Sequence, residues 1–194
     1  METVLGLSVT ATNVQTVLVE GRDADGATLE HGEFAAFSGD VSPARASEQV
    51  AEAVLSLAQA EGHRLHAIGV TWSRDADLEA ALVIDSLADL GFDNVVPVQL
   101  PRAAEALACS IGRVIGYRRT AVCVVEPHTV VLSLVDTFDG EVETLIGHPM
   151  SGTELLDWVS SIFDRDDWRP EGLFVVGSVG GLNTLAAWLE QGLG

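Results

Sequence analysis

The residues best suited to chemistry gather at three turns. Glu126-Pro127-His128 lies between two apolar runs and sets a carboxylate beside an imidazole, and His148 precedes Pro149 later in the same half. These three side chains are the sequence's candidate grouping for acid–base proton transfer. Hydrogen-bonded roles at the edge of a core suit them better. Thr10, Thr12 and Asn13, in Thr10-Ala11-Thr12-Asn13, offer donors to a phosphate or another anion, or simply close a hairpin, the reading we favour. Gly177-Ser178-Val179-Gly180-Gly181 follows an apolar run. Close approach of a ligand and a strand-to-helix turn at positive φ explain its glycines equally well. The spacing is not G-x-S-x-G, which disfavours serine-hydrolase chemistry.

Other polar clusters carry less. Asp23 with Asp25, and Asp164 with Asp166 and Asp167, lack the alternating ligands and terminal acid of a calcium loop and read as solvated turns. His63 and His66 have no third ligand nearby, so no zinc site is expected. Arg113, Arg118 and Arg119 form the cationic knot of the chain. They offset nearby acids and a helix C-terminus, or mark a docking point for an acidic partner. Trp72, Trp158 and Trp188 read as core anchors, whereas Trp168 stands in the polar run Asp166-Asp167-Trp168-Arg169-Pro170, where an exposed Trp beside Arg suits an interaction hot spot.

Composition narrows the classes. The chain has 194 residues, 47% of them hydrophobic, with 10 basic against 29 acidic residues and a formal net charge of −19. A mean hydropathy of +0.28 excludes a disordered polyelectrolyte. The length suits one domain or two closely fused halves, burying about 70% of the unfolded chain's surface. All ten cations are arginines, so chemistry that needs a Lys amine or a P-loop Lys is excluded. So strong a negative charge repels nucleic acid and anionic membranes. Cys109 and Cys123 lie in apolar runs without metal-type spacing and read as buried free thiols of a reducing compartment. Neither a leader nor a membrane span is visible, and a cytoplasmic location is expected.

Those candidates need elements to hold them. Thr3–Val9, Val14–Glu20 and Thr28–Phe34 read as a meander, with Asp23–Gly26 turning into its third strand. A helix over Ala44–Glu61 stops at Gly62, a strand covers Leu65–Trp72, and a helix covers Asp75–Leu90. A strand over Asn94–Leu100 and a helix over Pro101–Arg113 follow. The pattern then restarts, with strands at Thr120–Val125, Thr129–Asp136 and Glu141–Gly147, a helix at Ser151–Phe163, a strand at Leu173–Val176 and a helix at Leu182–Gln191. The expectation is an α/β protein of two βββαβα halves with mixed sheets, residues 1–117 and 118–194.

This layout resembles the actin-like ATPase superfamily, built from duplicated ribonuclease-H-like units and including actin, sugar kinases and heat-shock chaperones. Val4–Thr12 looks like its first phosphate hairpin, and Leu100-Pro101-Arg102-Ala103-Ala104-Glu105-Ala106-Leu107-Ala108 like its first connecting helix. Ala121–Asp136 stands where the second phosphate hairpin belongs, and Val175–Gly181 resembles the adenosine segment. By overall texture the string is also similar to N-terminal domains of uncharacterised mycobacterial proteins with a chaperone-like fold.

The departures from the family pattern are specific. Ser8 and Val9 replace the Asp of the first hairpin and the residue after it; Glu126 takes the second Asp's place, and Pro127, His128 and Thr129 follow instead of glycines. A proline and β-branched residues cannot form an N–H-lined phosphate cradle. The short links between third strands and first helices leave no room for large inserted subdomains. The chain ends at Leu189–Gly194 just after the adenosine-like helix, so a domain of a longer protein is expected.

The first reading is therefore a non-catalytic, actin-like scaffold with a protein partner and no cofactor, contacted through Arg118, Arg119 and Trp168. The alternative is a divergent nucleotide-binding domain for Mg-ATP. What nucleotide site the resemblance implies would use Ser8, Thr10, Thr12, Asn13, Glu126, Gly177, Gly180 and Gly181, facing a cleft between the halves. A homodimer joined through an apolar edge or helix face is a third expectation.

Overall fold

The computed structural model describes residues 3–20, 27–37, 41–60, 65–165 and 168–193. Its contacts divide the chain into two compact units, Met1–Leu100 and Pro101–Gly194.

The first unit runs β1 (Thr3–Val9), β2 (Val14–Glu20), β3 (Ala27–Phe34), α1 (Pro43–Ala60), β4 (Leu65–Trp72), α2 (Asp77–Asp89) and β5 (Val95–Pro97). Its sheet has the order β3-β2-β1-β4-β5. The β1–β2 and β2–β3 pairs are antiparallel, and β4 lies parallel to both β1 and β5. Alternation in β1 sends Leu5, Leu7 and Val9 inward, where they meet Val50 and Val54 of α1 and Val83 and Leu87 of α2. Fully burying a side chain of this size contributes about 1.5–3 kcal/mol. The strand expected over Asn94–Leu100 is confined to Val95–Pro97, because Pro97 has no N–H for a longer ladder and the next helix opens at Leu100. Asp75 precedes α2 and accepts from the Ser73 hydroxyl. The turn at Asp23–Gly26, the stop at Gly62, and His63 lie outside the described residues, as do Asp166 and Asp167.

The second unit holds α3 (Leu100–Ile115), β6 (Arg119–Glu126), β7 (Thr129–Asp136), β8 (Val142–Gly147), α4 (Gly152–Phe163), β9 (Gly172–Gly177) and α5 (Leu182–Leu193). Its sheet has the order β8-β7-β6-β9, with β6 parallel to β9. Helix α3, expected at the end of the first half, falls within this unit from Pro101 onward. Ala104, Ala108 and Gly112 form a stripe of small residues; a Cβ at Gly112 would stand 2.6 Å from both Thr120 Oγ1 and Thr137 Cγ2. Glu105 also accepts from Thr144 at 2.9 Å. All eight residues of β7 are buried, as is β6 beyond Arg119. The α4 and α5 side receives Ala121, Cys123 and Val125 together with Leu155, Val159 and Leu189. A capping box starts α4: Ser151 accepts from the Glu154 N–H, and the Glu154 carboxylate accepts from the Ser151 N–H. The two units thus repeat one βββαβα succession, and the α/β class with two mixed sheets stands.

Candidate functional site

In the second unit the end of β6, the start of β7 and the ends of β8 and β9 meet at one end of the sheet's strands. Register places Glu126 opposite Thr129 and Val125 opposite Gly177. Glu126 is buried, only 7% exposed, and accepts a hydrogen bond from the Ser178 hydroxyl. His128 is exposed on the hairpin tip, and the exposed His148 follows Gly147, which pairs with Val130. Sequence reasoning singled out Glu126 but gave Ser178 no role. The signal was available, since a parallel strand that pairs Gly177 with Val125 brings residue 178 beside residue 126.

The glycines of this turn differ in what they do. Gly177 has φ +147°, and a Cβ there would stand 2.0 Å from the Val125 carbonyl oxygen. Gly181, at φ +81°, opens α5 and its carbonyl accepts from the N–H groups of Thr184 and Leu185. Backbone geometry therefore requires both. A Cβ on Gly180 would meet open space.

The first unit's hairpin keeps its polar groups to itself. The Thr10 hydroxyl donates to the Asn13 carbonyl at 3.0 Å and accepts from the Asn13 N–H at 3.0 Å. The Thr10 N–H reaches the same carbonyl at 2.9 Å, and the Asn13 amide donates to Glu33 at 2.8 Å. The Thr12 carbonyl accepts from the Phe37 N–H. Ser8 is half-buried within β1, between Gln15 of β2 and Thr71 of β4.

Arg118, Arg119 and Trp168 gather at the opposite end of β6 from Glu126. The Arg118 guanidinium bonds Asp136 at 3.1 Å and Asp139 at 2.6 Å, and lies 5.5 Å from the centre of the Phe138 ring. Arg119 stands over Trp168 at 5.8 Å and approaches Asp136 at 3.8 Å. Trp168 is partly buried against the second core rather than projecting freely, and Phe138, 83% exposed, is the aromatic that projects. Trp188 is likewise 49% exposed and not an enclosed anchor. Burial alone would push the Asp136 carboxyl up. The N–H groups of Asp139 and Phe138 and the Arg118 guanidinium outweigh it and hold the group below the ordinary carboxylate value. The acids thus absorb much of the cationic knot.

Cys123 is buried and Cys109 partly so, and both are free thiols. Among the described residues no three His, Cys, Asp or Glu side chains are arranged to hold a metal ion. Nor is any helix there long and apolar enough to cross a membrane.

The model of DUF7159, a family of unknown function, matches residues 2–193. The chain belongs to that family. No curated protein matches the DUF7159 chain by sequence. Its structure is similar to an Aquifex aeolicus member of the Ppx/GppA family, with TM-score 0.62 and 13% identity over 96% of this chain and 69% of that one. It is similar to a chain of the PilM–PilN type IV pilus biogenesis complex, with TM-score 0.62 and 15% identity over 98% and 85% of the two chains. A Bacteroides thetaiotaomicron protein with actin-like ATPase fold and unknown function aligns with TM-score 0.56 and 8% identity over 99% and 88%. The DUF7159 chain has the actin-like ATPase fold.

Proposed function

We propose that this chain is an actin-like domain without phosphoryl-transfer machinery, serving as a scaffold for a protein partner. The observation that carries the reading is that the first hairpin turns its polar groups onto its own sheet, while Glu126 of the second accepts from Ser178. A triphosphate needs inward-pointing N–H groups and an acid to organise magnesium. Thr10 and Asn13 spend their donors on each other and on Glu33. Pro127 has no N–H, and the Ser178 hydroxyl donates to one oxygen of the Glu126 carboxylate. These residues do not fit Mg-ATP. A neighbour of this fold within the PilM–PilN complex supports a protein partner.

Phosphate release from ATP tests the reading. The expected rate equals the buffer background and is unchanged in Glu126→Ala. A rate above background that this substitution abolishes would favour a nucleotide-dependent switch centred on Glu126.

A further inference from the structure

In both units the third strand of the meander ends the sheet: among the described residues β3 pairs with β2 alone and β8 with β7 alone. The two edges differ in what they carry. The sequence of β3 includes Glu30, His31 and Glu33, and charged residues of this kind keep an edge from pairing with another chain. The sequence of β8 includes a single charged residue, Glu143, which Arg165 meets at 3.5 Å. Its Val142 and Ile146 are 48% and 62% exposed.

Main-chain parity decides which groups of β8 face away from the sheet. The Asp136 N–H donates to the Glu141 carbonyl at 2.9 Å, and the register then runs without a shift from Val135 opposite Val142 to Val130 opposite Gly147. Bonded and non-bonded pairs alternate along an antiparallel ladder. Glu143, Leu145 and Gly147 therefore exchange bonds with β7, while the N–H and C=O groups of Val142, Thr144 and Ile146 point away from it. The two exposed apolar residues lie on one face, equally far from Thr144. About that residue the strand is its own complement.

We infer that β8 pairs antiparallel with β8 of a second copy of this chain, about a two-fold axis at Thr144. Each Val142 then stands opposite an Ile146, each Glu143 opposite a Leu145, and every outward main-chain group finds a partner. Other registers lose this match. Centring on Glu143 sets two carboxylates opposite each other, and centring on Leu145 sets Val142 opposite His148. At −19 per copy the chains repel at long range, and salt screens that repulsion. The pairing uses neither Glu126 nor Ser178, so it and the scaffold reading can fail separately.

Sedimentation velocity of the full chain between about 5 µM and 1 mM tests the pairing, with amide hydrogen exchange read residue by residue by NMR. The mass is expected to rise from one chain toward two with a dissociation constant below about 1 mM, and association should be tighter in about 300 mM than in about 30 mM salt. With rising concentration the Val142, Thr144 and Ile146 amides should slow by about threefold or more, while those of Glu143 and Leu145, already bonded to β7, should change little. Ile146→Arg should weaken association by about tenfold. Adding Val142→Glu sets opposite charges across the axis at the native net charge and should recover it, whereas adding Val142→Arg should abolish it. A chain that stays monomeric to about 1 mM overturns the proposal. So does association that Ile146→Arg leaves unchanged, since another surface then carries it. Protection of the three outward amides that does not vary with concentration also overturns it, because a segment of the same chain then covers the edge.

Discussion

The Ser178 hydroxyl donates to the Glu126 carboxylate and so ties the β9–α5 turn to the end of β6. Because Glu126 is buried, removing one donor leaves its charge less well compensated. Ser178→Ala should lower stability by about 1 kcal/mol. Urea denaturation checks this, and in a Glu126→Gln background the same change should cost clearly less, showing that the two side chains are coupled.

Gly177 and Gly180 should behave oppositely. With φ +147° and the Val125 carbonyl in the way, Gly177→Ala forces the β6–β9 pairing to shift and should cost about 3 kcal/mol or more. Gly180→Ala enters open space and should stay within about 0.5 kcal/mol. Thermal melts of the two variants, run side by side, check the contrast.

These glycines show what was legible in the sequence and what was not. Hydrophobic alternation in β1 and the apolar runs of β6 and β7 marked strands, and the repeated βββαβα order followed from them. Gly177, Gly180 and Gly181 looked alike as letters, because φ and the approach of Val125 are set by strand pairing rather than by local sequence. Helix α3 read as the end of the first half, since the Thr120 and Thr137 contacts that claim Gly112 come from later in the chain. Arg118 and Arg119 read either as offsets to nearby acids or as a docking point, and the acid that binds them was not legible because Asp136 is remote in sequence and adjacent only through the β6–β7 register.

That same acid sets a pH dependence. The folded-state value of Asp136 lies below its unfolded one, so its contribution to stability is fully present above the ordinary carboxylate value and is lost as pH falls through the folded value. Stability measured by denaturant between about pH 6 and pH 2 should therefore fall, and Asp136→Asn should flatten the fall.

Burial pushes the Cys123 thiol up to about 12, which keeps it protonated and unreactive. Its folded value exceeds its unfolded one, so the associated stability is fully present below the ordinary thiol value and is lost as pH rises toward 12. Iodoacetamide at about pH 8 should label Cys109 in the native chain and leave Cys123 unmodified, with both labelled in urea. Mass spectrometry of tryptic peptides reads the difference.

Calorimetric titration of the chain with Mg-ATP addresses the loss of the phosphate cradle most directly. With Thr10 and Asn13 engaged in their own turn and Ser178 on Glu126, no saturable heat is expected at nucleotide concentrations up to about 1 mM. A dissociation constant in the micromolar range, weakened by substituting Thr10 or Gly177, would contradict it.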